Sequence, residues 1–248
     1  MNTSSGGAAR SQPQAVARGL TRMADFCAVD AHQSYLRHVD AYDRRLSKKG
    51  FHRVCDFEEQ ITPELVAVYF GVLDSARTEG EMHPFLAKHL PLAVNVELAH
   101  GCRWIRSEPA LGDYRADFAI ARMDSGGLRW TLVELQDPST DLFLKTGTIP
   151  RQPSKELREA LHQIGQWRSW ITHWGSDAMP GYGLPGLTAH FRAVIVIGRA
   201  ADKLDDLDGD HAIPALEQQH AVTIKSYDSL ARGINQTTGG CGVPHTPH

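Results

Sequence analysis

The sequence carries little net charge and lacks any apolar run long enough to cross a membrane, and both absences exclude classes of protein. A net charge of -3 over 248 residues gives no overall attraction to polyanions, so any contact with nucleic acid must come from a local patch. A bilayer span needs roughly 18 to 20 apolar residues, and neither such a run nor the apolar segment of a signal peptide is present. We therefore expect a cytoplasmic protein with no membrane partner.

Cysteine is also scarce, with four residues in the whole chain. They are widely separated and form none of the CxxC or Cys/His spacings that hold zinc, so reduced thiols are expected. The sequence contains no HExxH pair, no GxSxG elbow and no P-loop. The sequence therefore contains no motif that indicates a zinc peptidase, a serine hydrolase or a P-loop nucleotide hydrolase.

Local composition predicts four regions. Residues 1–18, rich in Gly, Ser, Ala, Gln and Pro, are expected to form a disordered arm, and residues 235–248 a flexible tail. Residues 19–76 are expected to form a helical region in which one amphipathic helix runs from about Leu20 to Lys49 and ends at a glycine. In residues 77–234, helix, strand, hairpin, helix and strand follow one another. This order predicts an α/β domain with a mixed sheet flanked by helices.

Three elements of the predicted domain frame its centre. One strand is predicted from about Ala93 to Leu98, and a fully buried strand from Phe191 to Ile197, where branched residues run together. A helix from Lys155 to about His173 carries an apolar stripe flanked by Gln163. The same helix carries tryptophans at helical spacing, namely Trp167, Trp170 and Trp174. Such spacing is more typical of a core or an interface than of a base-stacking platform.

The most informative stretch is a predicted β-hairpin from Arg115 to Gln136. Two apolar runs, Ala116–Ala121 and Trp130–Leu135, flank a turn that contains two glycines. Each run carries one carboxylate, Asp117 near the start of the first and Glu134 near the end of the second, and antiparallel pairing would bring them together. Because a buried carboxylate is costly unless it is paired, hydrogen-bonded or metal-bound, the hairpin predicts a divalent-cation site. Pairing with a nearby arginine would account for the two carboxylates equally well.

Taken together, Asp117, Glu134 and Gln136 form a DxnExQ pattern that resembles the metal-binding motif of the PD-(D/E)xK nuclease superfamily. The segment TEGEMHPFLAKHLPLAV is similar to the helix that opens these domains, with Glu79 at the acidic position, and ELREALHQIGQW is similar to the later helix that carries Gln163 and an aromatic residue. More narrowly, VELQDPSTDLFLKTG, ALHQIGQW, AVIVIGRA and VTIKSYDSLARG, in that order, resemble the Shedu nuclease domain of bacterial anti-phage defence systems.

The resemblance covers roughly Thr78 to Arg232 and implies a restriction-endonuclease-like fold with an N-terminal helical extension. It implies a Mg²⁺-dependent deoxyribonuclease of phage defence, with Mn²⁺ as a substitute metal, that binds DNA and forms a homo-oligomer. The metal ligands it implies are the carboxylates of Asp117 and Glu134 and the backbone carbonyl of Leu135. The other catalytic residues implied are Glu79, Gln136, Lys145 and Gln163. The expected phosphate contacts are Arg115, Arg151, Lys155 and Arg158.

One departure from the family pattern affects the predicted activity. Family members typically have Lys at the position of Gln136, and Arg or Ser at the position of Asp137, although some restriction endonucleases of the superfamily use Gln at the first of these positions. A glutamine can orient a water molecule but supplies no charge, so the positive charge would have to come from Lys145 or from a second Mg²⁺. Two hypotheses stay open. The chain is an active nuclease, or it is a nucleic-acid-binding or assembly subunit that retains the fold and has lost cleavage.

Overall fold

The computed structural model describes residues 37–55, 61–97, 101–124, 126–144, 151–200 and 212–231. The chain divides into two compact units, Met1–Arg45 and Leu46–His248. Residues 37–47 are helical, and the turn that follows contains Gly50 with a φ of 80°, a conformation that glycine adopts without strain. The predicted long helix is therefore confirmed over its last part. Residues 20–36, the predicted disordered arm and the predicted tail lie outside the described residues.

A six-stranded mixed sheet is the central element of the second unit. Its strands are β1 (His52–Cys55), β2 (Cys102–Ser107), β5 (Phe118–Asp124), β6 (Gly127–Leu135), β7 (Arg192–Val196) and β8 (Val222–Lys225), adjacent in that order. Neighbouring strands are antiparallel from β1 to β6 and parallel from β6 to β8. The short strands β3 (Ala110–Leu111) and β4 (Tyr114–Arg115) form a separate pair. The predicted α/β class with a mixed sheet is confirmed, and so is the predicted hairpin, which is β5 and β6.

Three of the five helices that follow residue 60 in the described ranges begin where their sequences provide caps. They are α1 (Pro63–Ser75), α2 (Glu79–Lys88), α3 (Leu90–Val94), α4 (Lys155–Trp174) and α5 (Ala212–His220), and a 3₁₀ turn, Tyr227–Ala231, follows β8. The Thr62 side chain accepts from the backbone of α1, Thr78 and Glu81 form a capping box on α2, and the Ser154 side chain accepts from the backbone of α4. These contacts satisfy backbone N–H groups that have no partner inside the helix. None of the helices in the described ranges is long and apolar enough to span a bilayer.

The strand predicted from Ala93 to Leu98 is wrong. Its first two residues end helix α3, and the strand that borders the hairpin is β2, beginning at Cys102. The branched Val94 and Val96 suggested a strand, but Pro91 lies in the first turn of α3, where its fixed φ favours a helix. Consecutive residues of α3 are buried rather than alternate ones, because the short helix is embedded in the core.

Side chains of the central strands alternate between two covered faces. On one face, Val133 and Leu135 of β6 join the main core with residues of the first three helices, among them Tyr69, Leu73, Met82, Leu86 and Leu92. On the other face, α4 packs against β6 and buries Leu157, Ala160, Leu161, Ile164, Trp167 and Ile171. Glu134 lies between Val133 and Leu135, so alternation directs its side chain to the α4 face.

The expectation of reduced thiols is wrong for two of the four cysteines. Cys55 on β1 and Cys102 on β2 are partners in the antiparallel register, and they form a disulfide. β1 has only four residues and was not predicted from the sequence. The disulfide could not be predicted from the sequence, because the two cysteines are 47 residues apart. Only the pairing of β1 with β2 places them side by side.

Candidate active site

The two hairpin carboxylates meet at one end of the sheet. Asp117 immediately precedes β5, and the pairing of Phe118 with Val133 places it beside the end of β6. Its backbone N–H donates to the Val133 carbonyl at 3.1 Å, and its Oδ2 accepts from the Leu135 N–H at 2.6 Å. Glu134, which lies between those two residues, is 5% exposed. The structure thus brings together the two carboxylates that the sequence pattern singles out.

Two glutamine amides hold the Glu134 carboxylate. Nε2 of Gln136 donates to its Oε1 at 3.3 Å, and Nε2 of Gln163 donates to its Oε2 at 3.1 Å. Gln136 follows on the same strand, whereas Gln163 is carried by α4, whose buried stripe fixes the helix against β6. Both amides satisfy carboxylate oxygens, but neither carries a charge. Sequence reasoning selected both glutamines, and the structure places both at Glu134.

The beginning of α2 faces the same site. The backbone N–H of Glu79, the first residue of α2, donates to Oδ1 of Asp137 at 2.7 Å. Asp137 follows Gln136, so one loop carries both an amide for Glu134 and a carboxylate for the start of α2. In the sequence, Asp137 stands out only as a departure from the family pattern. Its role was missed because a hydrogen bond across 58 positions of the chain leaves no local signal.

Two buried tyrosines fix the backbone that follows Glu134. The Tyr227 hydroxyl donates to the carbonyl of Gln136 at 2.8 Å, and the Tyr69 hydroxyl donates to the carbonyl of Tyr227 at 2.8 Å. Both tyrosines are fully buried. Neither was selected from the sequence, in which they are ordinary core aromatics. This chain of hydrogen bonds connects α1, the 3₁₀ turn and the loop after β6.

Burial and mutual repulsion favour protonation of the carboxylates. Burial, reinforced by the charge of Asp117, raises the pKa of Glu79 to about 7. Burial, followed by the charges of Asp117 and Glu79, raises the pKa of Glu134 well above its ordinary value. Burial also raises the pKa of Asp117, against the hydrogen bond from the Leu135 N–H, which lowers it. All three shifts have the same sign, so negative charge is costly at this site, and a bound cation would offset that cost.

The oxygen atoms of this site suit a hard divalent cation. Mg²⁺ prefers oxygen ligands, uses one or two protein carboxylates and keeps several waters. Asp117 and Glu134 could supply the carboxylates, and Leu135, between Glu134 and Gln136, could supply a backbone carbonyl. Within the described ranges, no three His, Cys, Asp or Glu side chains are grouped so that they could hold a metal ion by themselves. The residues therefore fit a largely hydrated Mg²⁺ better than a closed zinc or calcium site.

An open, shallow cleft on one face of α4 adjoins these carboxylates. It is lined by two of the expected phosphate contacts, Lys155 and Arg158, and by Glu159, His162, Gln163 and Gln166. Because Gln163 also donates to Glu134, one end of the cleft adjoins the acidic cluster. Lys155 Nζ lies 3.6 Å from Oε1 of Glu159, with both side chains exposed, and an ion pair of this kind contributes little energy. Both cations therefore remain accessible to an anionic ligand.

The other predicted residues are placed differently. The Arg115 guanidinium pairs with Glu108 at 3.2 Å, while its backbone carbonyl accepts from Gln163 at 3.5 Å. Arg151 is half-buried ahead of α4. Lys145 lies outside the described residues. Trp167, the aromatic partner of Gln163 in the sequence pattern, is 0% exposed and belongs to the core.

Comparison with known protein families agrees with the sequence resemblance. The family model described as Shedu protein SduA, C-terminal, matches residues 76–231, which is more than half of the chain. The matched range includes the acidic cluster, the two glutamines and the cleft. No curated protein matches the chain.

Proposed function

Since the chain belongs to the Shedu family, and membership indicates a role in anti-phage defence, we propose that it is a metal-dependent DNA nuclease. The observation that carries the proposal is the acidic cluster at the end of the hairpin. Asp117 and Glu134 are largely buried, and burial, with added repulsion from neighbouring carboxylates, raises the pKa values of both and of Glu79. Carboxylates that served only the fold would be stabilised by arginine or lysine, whereas these two accept hydrogen bonds from neutral amides.

The proposed metal site consists of the Asp117 and Glu134 carboxylates and the Leu135 carbonyl, with Glu79 reaching the ion through water. A bound Mg²⁺ would supply an activated water and positive charge for the phosphodiester transition state. Gln136 and Gln163 orient the Glu134 carboxylate through their amide groups. Because they hold Glu134 from opposite sides, its direction is set before any ion binds.

DNA would reach the site along the α4 cleft. Lys155 and Arg158 are exposed there and suit contacts with phosphate oxygens. The basic residues are few and local, in agreement with a net charge of only -3. The charge that Gln136 lacks would be supplied by Lys145 or by a second Mg²⁺.

A second candidate function is supported by one observation at Gln136. Family members typically have Lys there, and in this chain the Gln136 amide donates to Glu134 instead of supplying charge to a phosphate. A chain of this kind could retain the nuclease fold as a nucleic-acid-binding or assembly subunit without cleaving DNA. Only the first candidate predicts cleavage of DNA, so cleavage separates the two.

The test is cleavage of supercoiled and linear plasmid by the purified full-length chain, in Mg²⁺, in Mn²⁺ and in EDTA. We expect cleavage with either metal and none in EDTA. Asp117→Asn and Glu134→Gln, which keep size and remove charge, should each lower the rate by about 100-fold or more. The control is Asp177→Asn, in an exposed loop after α4, which should retain native activity.

Two outcomes would change the proposal. Native activity in the Asp117→Asn and Glu134→Gln variants would remove these residues from the metal site. Binding of DNA without cleavage of any DNA form, in either metal, would replace the nuclease with the second candidate.

A further inference from the structure

A group of arginines lies at the end of the sheet opposite to the acidic cluster. Arg103 of β2, Arg122 of β5 and Arg129 of β6 are direct partners in the antiparallel register, so they form one line across three strands. One pair further along, Arg192 of β7 is the partner of Thr131. Because side chains alternate along a strand, all four arginines project from the face of the sheet that carries the main core. We call these four residues the arginine row.

The fold alone does not account for like charges in this register. Directly opposed side chains of antiparallel strands have Cβ atoms about 4.5 to 5.5 Å apart, and like charges at that spacing destabilise a sheet. Asp124 offsets one of the charges, because its Oδ2 lies 2.8 Å from Nε of Arg129. Glu97, which is 4% exposed, accepts a hydrogen bond from the Thr131 hydroxyl instead of one from the row. Arg122 therefore stands between two other arginines.

The middle arginine of the row carries a donor without an acceptor. Nε of Arg122 is buried and has no hydrogen-bond partner among the described residues. Its neighbour Arg103 donates through one terminal nitrogen to the carbonyls of Val94 and Glu97, at 3.5 and 3.4 Å. A buried donor that lacks an acceptor loses its hydration without compensation. An anion bound beside Arg122 would offset the like charges and supply acceptors for the guanidinium group.

The row runs from the interior of the protein to the solvent. Arg103 is 4% exposed, Arg122 is half-buried, and Arg129 and Arg192 are exposed. Lys225 of β8 adds a further cation near the exposed end. Burial lowers the pKa of Lys225, and the charge of Arg192 lowers it further. An anion could thus reach the row from solvent and meet positive charge from several strands.

We propose that the arginine row binds a small anion with a di- or triphosphate group, such as a nucleotide. Guanidinium groups bind phosphate oxygens through paired, charge-assisted hydrogen bonds. On β6, Arg129 and Glu134 are five residues and about 17 Å apart, and their side chains project from opposite faces of the sheet. A phosphate at the row is therefore not the phosphate that a nuclease site would cleave, and this proposal does not depend on the proposed nuclease function.

A small phosphate compound fits the row better than a DNA backbone does. Adjacent strands are about 4.8 Å apart, so three arginines lie within about 10 Å of one another. This concentration of charge suits the several negative charges of one di- or triphosphate group. A duplex is instead bound by exposed cations that follow its backbone, and Arg103 is too deeply buried for such a contact.

The test is calorimetric titration of the metal-free full-length protein, in EDTA and at matched ionic strength, with inorganic phosphate, pyrophosphate and ATP. We expect saturable binding of pyrophosphate and ATP, and weaker binding of inorganic phosphate. Arg122→Gln and Arg192→Gln should each weaken pyrophosphate binding by about 10-fold or more, as expected for loss of a charge-assisted hydrogen bond. Arg122→Lys, which keeps the charge and loses the planar fork, should recover only part of the loss.

Thermal unfolding without phosphate separates lost binding from lost structure. Arg122→Gln should have a Tm equal to or above that of the native protein, because it removes a charge between two like charges. Added pyrophosphate should raise the Tm of the native protein more than that of the variant. A lower Tm of Arg122→Gln without phosphate would show that this arginine serves the fold and would overturn the proposal.

The matched control is Arg44→Gln, which removes one exposed arginine from the helix at residues 37–47 and should bind pyrophosphate as the native protein does. An equal loss of binding in Arg44→Gln, or no saturable binding by the native protein, would overturn the proposal. A labelled short duplex is titrated in parallel. If Arg122→Gln weakens duplex binding as much as pyrophosphate binding, the row contacts a DNA backbone, which would also overturn it. Since no metal is present, failure of the nuclease proposal would leave these results unchanged.

Discussion

Replacing Glu134 with glutamine should make the metal-free protein more stable. The native side chain is 5% exposed, and its pKa is raised by burial and by the charges of Asp117 and Glu79. At pH 8 without metal, folding must therefore either bury this charge or take up a proton. Glutamine has the same size and carries no charge. It keeps a carbonyl for one of the two donating amides, and the other can rotate to present its own oxygen.

The expected gain is about 1 to 3 kcal/mol, the range for desolvating a buried polar or charged group that is imperfectly compensated. In a domain of about 200 residues each kcal/mol corresponds to about 2 to 4 °C, so Tm should rise by about 2 to 12 °C. The size of this gain in stability depends on pH. A carboxyl whose folded pKa is raised costs nothing below its unfolded pKa, and the cost grows as pH rises toward the folded value. The gain should therefore be absent near pH 4 and large at pH 8.

Thermal unfolding followed by circular dichroism in EDTA measures this effect at both pH values. Glu64→Gln is the matched control, because hydrogen bonds from the start of α1 lower the pKa of Glu64, and its replacement should not stabilise the protein. Adding Mg²⁺ should raise the Tm of the native chain and leave Glu134→Gln unchanged. If the metal-free Glu134→Gln variant has a lower Tm than the native protein at pH 8, the charge of Glu134 does not destabilise the metal-free fold, and this reasoning is refuted.

Three further predictions concern the same site. The Mg²⁺ affinity should increase as pH rises from about 6 to 8, because protons compete with the ion at Glu79, whose pKa is raised to about 7, and at Asp117. Calorimetry in buffers of different ionisation enthalpy should show that Mg²⁺ binding releases protons. Binding without proton release would contradict the assignment of these carboxylates to the metal site. Tyr227→Phe removes a buried donor to the Gln136 carbonyl at 2.8 Å and should cost about 1 to 2 kcal/mol in urea unfolding; an unchanged midpoint would show that the hydrogen bond contributes nothing. Gln136→Lys should preserve the fold and raise the turnover of DNA cleavage by supplying the missing charge, whereas loss of turnover would mean that the site depends on glutamine.

The hairpin could be predicted because its information is local. Two apolar runs, each with one carboxylate, and two glycines in the turn all lie within residues 115–136, and the structure confirms strands at Phe118–Asp124 and Gly127–Leu135. Helix α4 was predicted for the same reason, from its apolar stripe. In both cases the local pattern and the tertiary packing favour the same element.

The contacts that complete the site could not be predicted, because they join distant segments. Asp137 accepts from the start of α2, and Tyr227 donates to the loop after β6, and both residues look ordinary in sequence. The Cys55–Cys102 disulfide depends on the pairing of a short edge strand. The misassigned strand at Ala93–Leu98 has another cause, since its branched residues favour a strand, whereas Pro91 in the first turn of α3 favours a helix.

The central claim is that Asp117 and Glu134 hold a divalent cation. Calorimetric titration of Mn²⁺ into the metal-free native protein at pH 8, with Asp117→Asn and Glu134→Gln titrated in parallel, tests it most directly. We predict saturable binding to the native chain, loss of that binding in both variants and native binding in Asp177→Asn. Equal Mn²⁺ binding by the native protein and the two site variants would contradict the claim.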